Sequence, residues 1–218
     1  GDVAIGDILS VEKDENGAGM IWNTPFSQFV RAEATVGKTW VWGRNSGQSL
    51  ATRFIAGAGH AYGNSNALPF EKHFYAGGAN SLRGWQARTV GPGTSARDTS
   101  FVIPNQTGDM RLEANVEYRF DIVWKLEGAV FADAGNVWTL KQKDVAVEDG
   151  SIFRWNTLGE SIAANWGLGL RLNLDFLLLR IDAGFKVHDP ARTNKWVGPD
   201  QWFRRNGYAI HFGVGYPF

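Results

Sequence analysis

One arginine in a glycine-rich stretch is the side chain of this sequence best suited to specific chemistry. Arg83 lies in Leu82-Arg83-Gly84-Trp85, near the centre of residues 68–93. Its guanidinium is a planar fork of donors that can bind a carboxylate through two parallel hydrogen bonds. Gly84 allows the backbone to bend beside it, and Trp85 supplies an apolar surface that can anchor a loop. These residues predict an ordered loop that carries Arg83 to an acidic partner.

Three carboxylates on two strand-like segments are the candidate partners. Glu113 and Glu117 occupy polar positions of one segment, and Asp133 occupies a polar position of the next. A hairpin with a tight turn at residues 121–123 would place the two acidic faces side by side. We therefore predict that Arg83 lies within hydrogen-bonding distance of Asp133, with Glu117 in the same network.

The residue pattern gives little support for an enzymatic function. The four histidines show no HExxH or paired metal-ligand spacing, and no glycine-rich stretch has the form of a P-loop. Glu113, Glu117 and Asp133 could act as an acid–base group, but carboxylates that line a wet interior and pair with arginine explain them better. We expect no catalytic residue, no cofactor and no bound metal.

Composition narrows the class of protein. The chain has 218 residues, no cysteine and a formal net charge of zero. Nucleic-acid binders usually show a basic surface, so no nucleic-acid partner is expected. No apolar run reaches the roughly 18 residues of a transmembrane helix. The opening residues lack the basic start and apolar core of a secretory signal, so the start looks internal to a longer protein.

Polar and apolar residues alternate with period two through most of the chain, which is typical of β-strands. Residues 26–38 and 48–59 alternate less cleanly than the later segments. Five clear segments follow at residues 110–120, 124–138, 162–174, 176–188 and 207–218. Residues 1–9 are interpreted as the tail of another strand, residues 10–24 as a loop and residues 40–47 as a turn.

Segment length and loop pattern favour a membrane barrel. Segments of 11–15 residues are longer than typical soluble strands, and they match the roughly 9–11 residues that a tilted strand needs to cross the hydrocarbon. Very short connections at residues 121–123 and 174–176 alternate with long ones at residues 61–108, 139–161 and 189–206. Short turns on one side and long loops on the other are typical of outer-membrane barrels.

A soluble barrel or sandwich would alternate in the same way, with its apolar face inside. Charged residues at mid-strand, such as Arg180 and Asp182, would suit its solvent face. Against this alternative, the apolar face is unbroken through five strands, and it carries Trp124 and Trp138 at the two ends of one segment. These tryptophans would lie about 35 Å apart along the membrane normal, near the spacing of two interfacial girdles. The pattern therefore favours an all-β, transmembrane antiparallel β-barrel.

The last segment has features of a labile edge strand. One face carries Tyr208, Ile210, Phe212, Val214, Tyr216 and Phe218. Gly207, Gly213 and Gly215 lie on the other face, and glycine and proline weaken a strand ladder. An exposed strand edge can template pairing with another chain, so this segment is the predicted seam of the barrel.

In combination, these features resemble the outer-membrane barrel-assembly and translocation family, which includes BamA-like and TamA-like proteins. Residues 82–85 resemble the family's (V/I)RG(F/Y) loop motif, with leucine and tryptophan in place of the commonest residues. Residues 131–138 resemble its F-x-D-x-G-x-x-W motif, and residues 115–118 resemble the acidic position on the preceding strand. Residues 207–218 resemble its C-terminal β-signal. The resemblance covers about residues 24–218. The sequence of the loop at residues 68–85 suggests the Bacteroidetes branch.

The resemblance implies a barrel of about sixteen strands, preceded by periplasmic POTRA domains. Residues 1–218 would form its C-terminal portion, about 7–8 strands, with the segment at about residues 61–108 folded into the lumen. Phe218 would then lie at the periplasmic rim and the long loops outside.

The function implied is insertion of β-barrel proteins into the bacterial outer membrane, or export of substrates across it. The implied partners are outer-membrane lipids, client β-barrel proteins and accessory periplasmic or lipoprotein subunits. Two other classes stay open at this point. One is the barrel of a lipase-fused outer-membrane protein, which needs a nucleophile that the residues do not show, and the other is a plain pore or adhesin barrel.

Overall fold

Long antiparallel strands make up most of the protein. The computed structural model describes residues 2–3, 12–13, 19–21, 24–43, 47–96, 106–140 and 148–218. Four short strands come first: β1 Asp2–Val3, β2 Glu12–Lys13, β3 Gly19–Ile21 and β4 Thr24–Pro25. The long strands are β5 Phe29–Trp42, β6 Gln48–Ala61, β7 Met110–Val123, β8 Leu126–Trp138, β9 Ala163–Asn173, β10 Leu178–His188 and β11 Tyr208–Val214.

The strands pair in chain order to form one sheet. Each strand from β5 to β11 is antiparallel to the next, and β1 pairs with the outer edge of β5. Within the described ranges, no ladder joins β11 to β1 or to β5. The long strands agree with the prediction of about 7–8 strands of a transmembrane antiparallel barrel. Strands β2, β3 and β4 form a separate small sheet.

Short turns and long connections alternate between the two ends of the sheet. Trp124 and Lys125 join β7 to β8, and residues 174–177 join β9 to β10. The long connections are residues 62–109, 139–162 and 189–207, of which residues 97–105 and 141–147 lie outside the described ranges. The predicted turn at residues 121–123 is wrong, because Val123 pairs with Leu126 and extends the ladder. Trp124 takes a positive φ of 54° in this turn.

Helical elements are brief and lie in the long connections. They are α1 Leu158–Ser161, α2 Pro199–Trp202 and three 3-10 turns at Phe70–Lys72, Asp149–Ser151 and Trp155–Thr157. In the part of the chain that the structure describes, no helix has the length and apolarity needed to cross a membrane.

Burial along the strands is the reverse of that in a soluble β-protein. On β7, Glu113 and Glu117 are buried, whereas Val116 between them is 44% exposed. On β9, Arg171 is buried, whereas Leu170 is 50% exposed. A soluble barrel packs its apolar face inside, whereas a membrane barrel turns that face to lipid and keeps a polar interior. The observed pattern is that of the membrane barrel.

Predictions about some strand ends are wrong. The predicted turn at residues 40–47 begins too early, because Trp40 and Trp42 still pair with β6. Of the predicted loop at residues 10–24, the described parts are mainly β2, β3 and the first residue of β4. Of the predicted strand tail at residues 1–9, the structure describes β1. The other residues of these two segments lie outside the described ranges.

Trp124 and Trp138 do not form a pair of interfacial girdles. Trp138 is 1% exposed, because residues after β8 fold over it. Its indole N–H donates to Ser161 Oγ at 3.0 Å, and Phe153 packs edge-on against its ring with centroids 5.4 Å apart. Trp124 lies in the hairpin turn and is 80% exposed. Alternation predicted the side of the strand correctly, but it gave no information about the loop that covers Trp138.

The last strand is shorter than predicted. β11 ends at Val214, and Gly215 adopts a φ of 79°, in the left-handed region that glycine tolerates. The Gly215 N–H still donates to the Leu178 carbonyl at 2.8 Å, after which residues 216–218 turn toward the polar face of the sheet. Tyr216 and Phe218 therefore do not continue the outward aromatic face.

Candidate functional site

The connection between β6 and β7, residues 62–109, is called the Arg83 loop below. Its described residues, 62–96 and 106–109, fold back onto the polar face of the sheet and are joined by bridges between Phe74 and Gly108 and between Ala76 and Val90. Its apolar side chains form a buried cluster with one residue each of β8 and β9. The cluster consists of Phe74, Ala76, Leu82, Trp85 and Val90 of the loop, with Val137 and Ala163. The described part of the loop is thus ordered, and burial of apolar surface anchors it.

Two glycines allow the Arg83 loop to approach the strands closely. A Cβ atom at Gly84 would lie 2.7 Å from the Cβ of Asn165 on β9. A Cβ atom at Gly184 on β10 would overlap the carbonyl group of Arg83. A side chain at either position would push the loop away from the sheet, so glycine is required for this contact.

Arg83 is fully buried and divides its donors between two carboxylates. Its Nε and its backbone N–H each donate to Asp133 Oδ2 at 3.1 Å, and Nη2 donates to Asp133 Oδ1 at 3.0 Å. Nη1 donates to an oxygen of Glu117. The guanidinium carbon lies 3.4 Å from the centroid of the Phe131 ring. The predicted contacts of Arg83 with Asp133 and Glu117 are therefore present, with the bidentate geometry that favours arginine.

The carboxylates of Asp133 and Glu117 stabilise the positive charge of Arg83. Burial alone would lower the pKa of the Arg83 guanidinium, but the negative charges and hydrogen bonds of Asp133 and Glu117 outweigh it and raise the pKa above its ordinary value. Arg83 therefore stays protonated in the folded protein.

The register of the sheet supports Asp133 from both sides. Asn115, Asp133 and Asn165 lie in one row across β7, β8 and β9. The side-chain amides of Asn115 and Asn165 each donate to Asp133 at 3.0 Å. Asp133 is thereby held in position by two hydrogen bonds besides those from Arg83.

Glu117 also belongs to a wider hydrogen-bond network that was not predicted from the sequence. It accepts hydrogen bonds from Arg119 Nε at 2.7 Å and from Arg171 Nη2 at 3.0 Å. Arg171 Nη1 contacts Asp182 Oδ1 at 2.6 Å, and Arg180 Nη1 donates to Asp182 Oδ2 at 2.7 Å. Alternation had assigned Arg171, Arg180 and Asp182 to the polar face, but the register between strands that brings them to Glu117 cannot be read from alternation.

Glu113, the third predicted acidic residue, binds the residues around Arg83 instead of Arg83 itself. It accepts hydrogen bonds from Ser81 Oγ at 2.6 Å, from Arg111 Nη2 at 2.6 Å and from Arg53 Nη2 at 2.9 Å. Glu113 thus holds the loop two residues before Arg83.

The residues after β11 cover the same arginine-rich region. The Tyr216 hydroxyl donates to Glu127 Oε2 at 2.8 Å, and burial together with this hydrogen bond raises the pKa of Tyr216 to about 12. The guanidinium carbon of Arg119 lies 4.1 Å from the Tyr216 ring centroid, and that of Arg53 lies 4.7 Å from the Phe218 ring centroid. These aromatic rings therefore cap the arginines rather than face lipid.

The predicted seam residues lie along β11 and at its two ends. Tyr208 and Phe212 point outward, and Phe212 is 75% exposed. Gly213 leaves room for a side chain from the neighbouring strand, since a Cβ there would lie 2.6 Å from Arg180 Nε. Gly207 precedes the strand, and its N–H donates to the Arg204 carbonyl at 2.9 Å. Across the described part of the chain, β11 pairs only with β10.

The charged side chains of the site hold the Arg83 loop against the strands. Its arginines and carboxylates are bound to one another and to the backbone of the Arg83 loop. No group of three histidine, aspartate or glutamate side chains among the described residues is arranged to hold a metal ion.

A sheet with an apolar outer face, a polar inner face and an ordered inner loop defines an outer-membrane β-barrel. Residues 17–218 match the Omp85 superfamily domain, and the chain belongs to that superfamily. It is a protein of the bacterial outer membrane. The resemblance to BamA-like proteins is thus confirmed, and the assignment to the Bacteroidetes branch stays a prediction.

Two relatives illustrate the match. The outer membrane protein assembly factor BamA of Neisseria meningitidis serogroup B is 28% identical over 125 residues, which cover 55% of this chain and 15% of that protein. The crystal structure of BamA from Haemophilus ducreyi lacking POTRA domains 1–3 superposes with a TM-score of 0.59 at 16% identity. The superposition covers 86% of this chain and 35% of that chain, and it shows the shared fold. The chain therefore spans a minor part of the length of each relative.

Proposed function

We propose that this chain is the C-terminal part of the barrel of a factor that inserts β-barrel proteins into the outer membrane. The observation that carries the proposal is the match of residues 17–218 to the Omp85 superfamily domain, whose last strand here, β11, forms one side of the proposed seam and exposes its edge when the seam opens. An unpaired edge offers a row of N–H and C=O groups to an incoming strand, the mode of recognition called β-augmentation. The name of the Neisseria meningitidis relative, an outer membrane protein assembly factor, supports the same conclusion.

The edge is also weakly held. β11 has 7 residues, whereas β5 and β6 each have 14, so fewer ladder hydrogen bonds fix it to its neighbour. Within the strand, Gly213 contributes no side chain to packing. A strand of this kind can open and exchange partners at a low energetic cost.

Within the whole protein, residues 1–218 would join further strands in a wider barrel of about sixteen strands. The Arg83 loop, predicted at about residues 61–108 and bounded by the strands at residues 62–109, then lies in the lumen. The contacts of Arg83 with Asp133 and Glu117 keep the loop on β7 and β8 while the seam at β11 opens. The protein acts as a structural and translocation module and not as an enzyme. Its partners are client β-barrel proteins, accessory periplasmic or lipoprotein subunits and outer-membrane lipids.

A disulfide across the seam tests the proposal. Ile210→Cys on β11 is combined with a cysteine on the first strand of the full-length barrel, and the chain itself contains no cysteine that would compete. The oxidised protein should lose insertion of a client β-barrel into proteoliposomes, and reduction should restore it.

The matched control locks strands that are already paired. Leu168 on β9 and Ala183 on β10 are register partners on the outer face, so Leu168→Cys with Ala183→Cys should crosslink without loss of insertion. Full insertion activity in the oxidised seam variant would reject a role for the β11 edge. If export of a substrate stops while insertion continues, the function is translocation, and a large steady single-channel conductance without either activity indicates a plain pore.

A further inference from the structure

The connection between β10 and β11 folds over the outer face of the sheet, at the end of the long loops. Trp166, Phe185 and Tyr208 form one register row across β9, β10 and β11 on that face. Trp202 packs on Trp166 with ring centroids 5.2 Å apart, and Phe203 packs on Phe185 with centroids 5.5 Å apart. Phe203 is still 80% exposed. The row and the two added rings form an aromatic surface on the outside of the barrel.

This aromatic surface borders the lipid-facing part of the sheet. The next two register rows toward the short turns are largely aliphatic and consist of Leu168, Ala183 and Ile210, then Leu170, Ile181 and Phe212. Aromatic side chains of membrane barrels concentrate at the boundary between hydrocarbon and headgroups. Trp202 and Phe203 therefore lie at headgroup depth.

Two arginines follow Phe203 directly. Arg204 and Arg205 are both exposed, and neither forms an ion pair with another described residue. The other cations of this connection, Arg192 and Lys195, are each paired with a carboxylate. Among the described residues, the positive charge next to the aromatic surface therefore has no carboxylate partner and is available to a ligand.

The backbone presents these arginines in a braced turn. The Arg204 N–H donates to the Gln201 carbonyl at 3.0 Å, and the Gly207 N–H donates to the Arg204 carbonyl at 2.9 Å. Arg192 ties the turn further, since its Nη1 donates to Gln201 Oε1 at 2.9 Å and its Nη2 donates to the Asn206 carbonyl at 3.2 Å. The turn thus holds Phe203 and the two arginines together at the top of β11.

We propose that Trp202, Phe203, Arg204 and Arg205 form a binding site for a phosphorylated lipid headgroup in the outer leaflet. Long loops of outer-membrane barrels face the outside, so this end of the barrel meets that leaflet. Phe203 packs against the upper acyl chains, and the two guanidinium groups donate hydrogen bonds to phosphate oxygens. The exposed aromatic ring favours a phosphate attached to acyl chains over a free phosphate ion.

Native mass spectrometry of the full-length protein in neutral detergent tests the site. The probes are lipid A with two phosphates and the same lipid with both phosphates removed. The unmodified protein should bind the phosphorylated lipid at least about tenfold more tightly, because each arginine near an anionic headgroup contributes a factor of roughly five. Arg204→Gln combined with Arg205→Gln should abolish this preference.

The control removes equal charge elsewhere. Arg88 and Arg154 are exposed arginines of the other two long connections, so Arg88→Gln with Arg154→Gln should keep the preference. Phe203→Ser should weaken binding of both lipids alike, because it removes the contact with the acyl chains. The proposal is overturned if the Arg204 and Arg205 variant still prefers the phosphorylated lipid, or if the control loses the preference equally. Displacement of the lipid by an equal concentration of inorganic phosphate would overturn the assignment to a lipid.

Discussion

The guanidinium of Arg83 shares its two carboxylates with other donors. Asp133 keeps the amides of Asn115 and Asn165 when Arg83 is removed, and Glu117 keeps its arginine neighbours. Truncation of one member of an isolated buried ion pair costs about 3–5 kcal/mol, because the remaining charge is left without compensation. Here the remaining carboxylates stay hydrogen-bonded, so the cost of removing Arg83 should be smaller.

Arg83→Ala should therefore release the loop without unfolding the barrel. We expect a loss of about 1–3 kcal/mol, the cost of leaving buried hydrogen-bonding groups partly unsatisfied. The measurement is the unfolding midpoint in urea, read from the altered gel mobility of unfolded barrels, together with limited proteolysis of residues 62–109. Asp133→Asn in the same background should add little, because Arg83 and Asp133 act as one coupled unit.

The control for this prediction is Arg88→Ala. Arg88 is an exposed arginine of the same loop that stacks on Tyr75, so its removal should leave the unfolding midpoint and the proteolysis pattern almost unchanged. Strictly additive losses for Arg83→Ala and Asp133→Asn would show that the two residues are not coupled.

Among the elements, the β7–β8 hairpin positions the acidic residues and β10 supplies room for the loop. The hairpin is closed by two residues, and its register brings Asn115 opposite Asp133. On β10, Gly184 lies against the carbonyl of Arg83. The site therefore depends on the absence of a side chain at Gly184 as much as on the charged groups.

Gly184→Ala should displace the Arg83 loop. The new methyl group would overlap the Arg83 carbonyl, and overpacking of a close contact typically costs about 1–3 kcal/mol. Faster proteolysis of residues 62–109 should accompany a lower unfolding midpoint. Gly159→Ala is the matched control, since a Cβ there meets nothing within 4 Å, and equal effects of both variants would contradict the packing explanation.

The sequence predicted on which face of a strand each residue lies, but it predicted neither the register between strands nor the strand ends. A period of two assigns each residue to a side, so Glu113, Glu117 and Asp133 were correctly placed on the polar face. The shift of the turn to Trp124 depends on one additional pair in the ladder. The covering of Trp138 depends on how the connection after β8 folds back over the strand. Neither the extra ladder pair nor the covering of Trp138 can be detected from the alternation of polar and apolar residues along one strand.

The inward turn after β11 shows the same limit. Alternation extended the outward face through Tyr216 and Phe218, but a positive φ at Gly215 reverses the side on which the following residues lie. Similarly, Phe131 lies on the polar side and supports the Arg83 guanidinium, and its position two residues before Asp133 was the available signal. Single residues with unusual backbone angles or packing partners thus determine on which side a side chain lies and what it contacts, and a periodic pattern does not predict either.

For the whole molecule, the reversed burial pattern means that stability depends on the lipid environment. The outer face of β9 exposes Leu168 to 49% and Leu170 to 50%, whereas the inner face buries Asn165 and Arg171. Apolar residues on the outer face are satisfied by hydrocarbon, and charged residues on the inner face are satisfied by one another.

Leu168→Arg should therefore destabilise the barrel in lipid by about 2–4 kcal/mol, the cost of a charge on the lipid face near the bilayer centre. Unfolding in lipid vesicles by urea would measure it. Trp155→Arg, at a residue that is 77% exposed in a long connection, is the control and should change stability by less than about 0.5 kcal/mol. A neutral effect of Leu168→Arg would contradict the assignment of this face to lipid.

The Arg83 network holds the loop against the inner face of an outer-membrane barrel. The most direct test of this arrangement is labelling of Ser81→Cys by a membrane-impermeant maleimide on intact cells. Ser81 is 8% exposed, whereas Ala87 of the same loop is exposed and serves as the reference when changed to cysteine. Ser81→Cys should react with the maleimide at least about tenfold more slowly than Ala87→Cys. Arg83→Ala should remove most of this difference in labelling rate. Equal labelling of the two positions in the presence of Arg83 would contradict this arrangement.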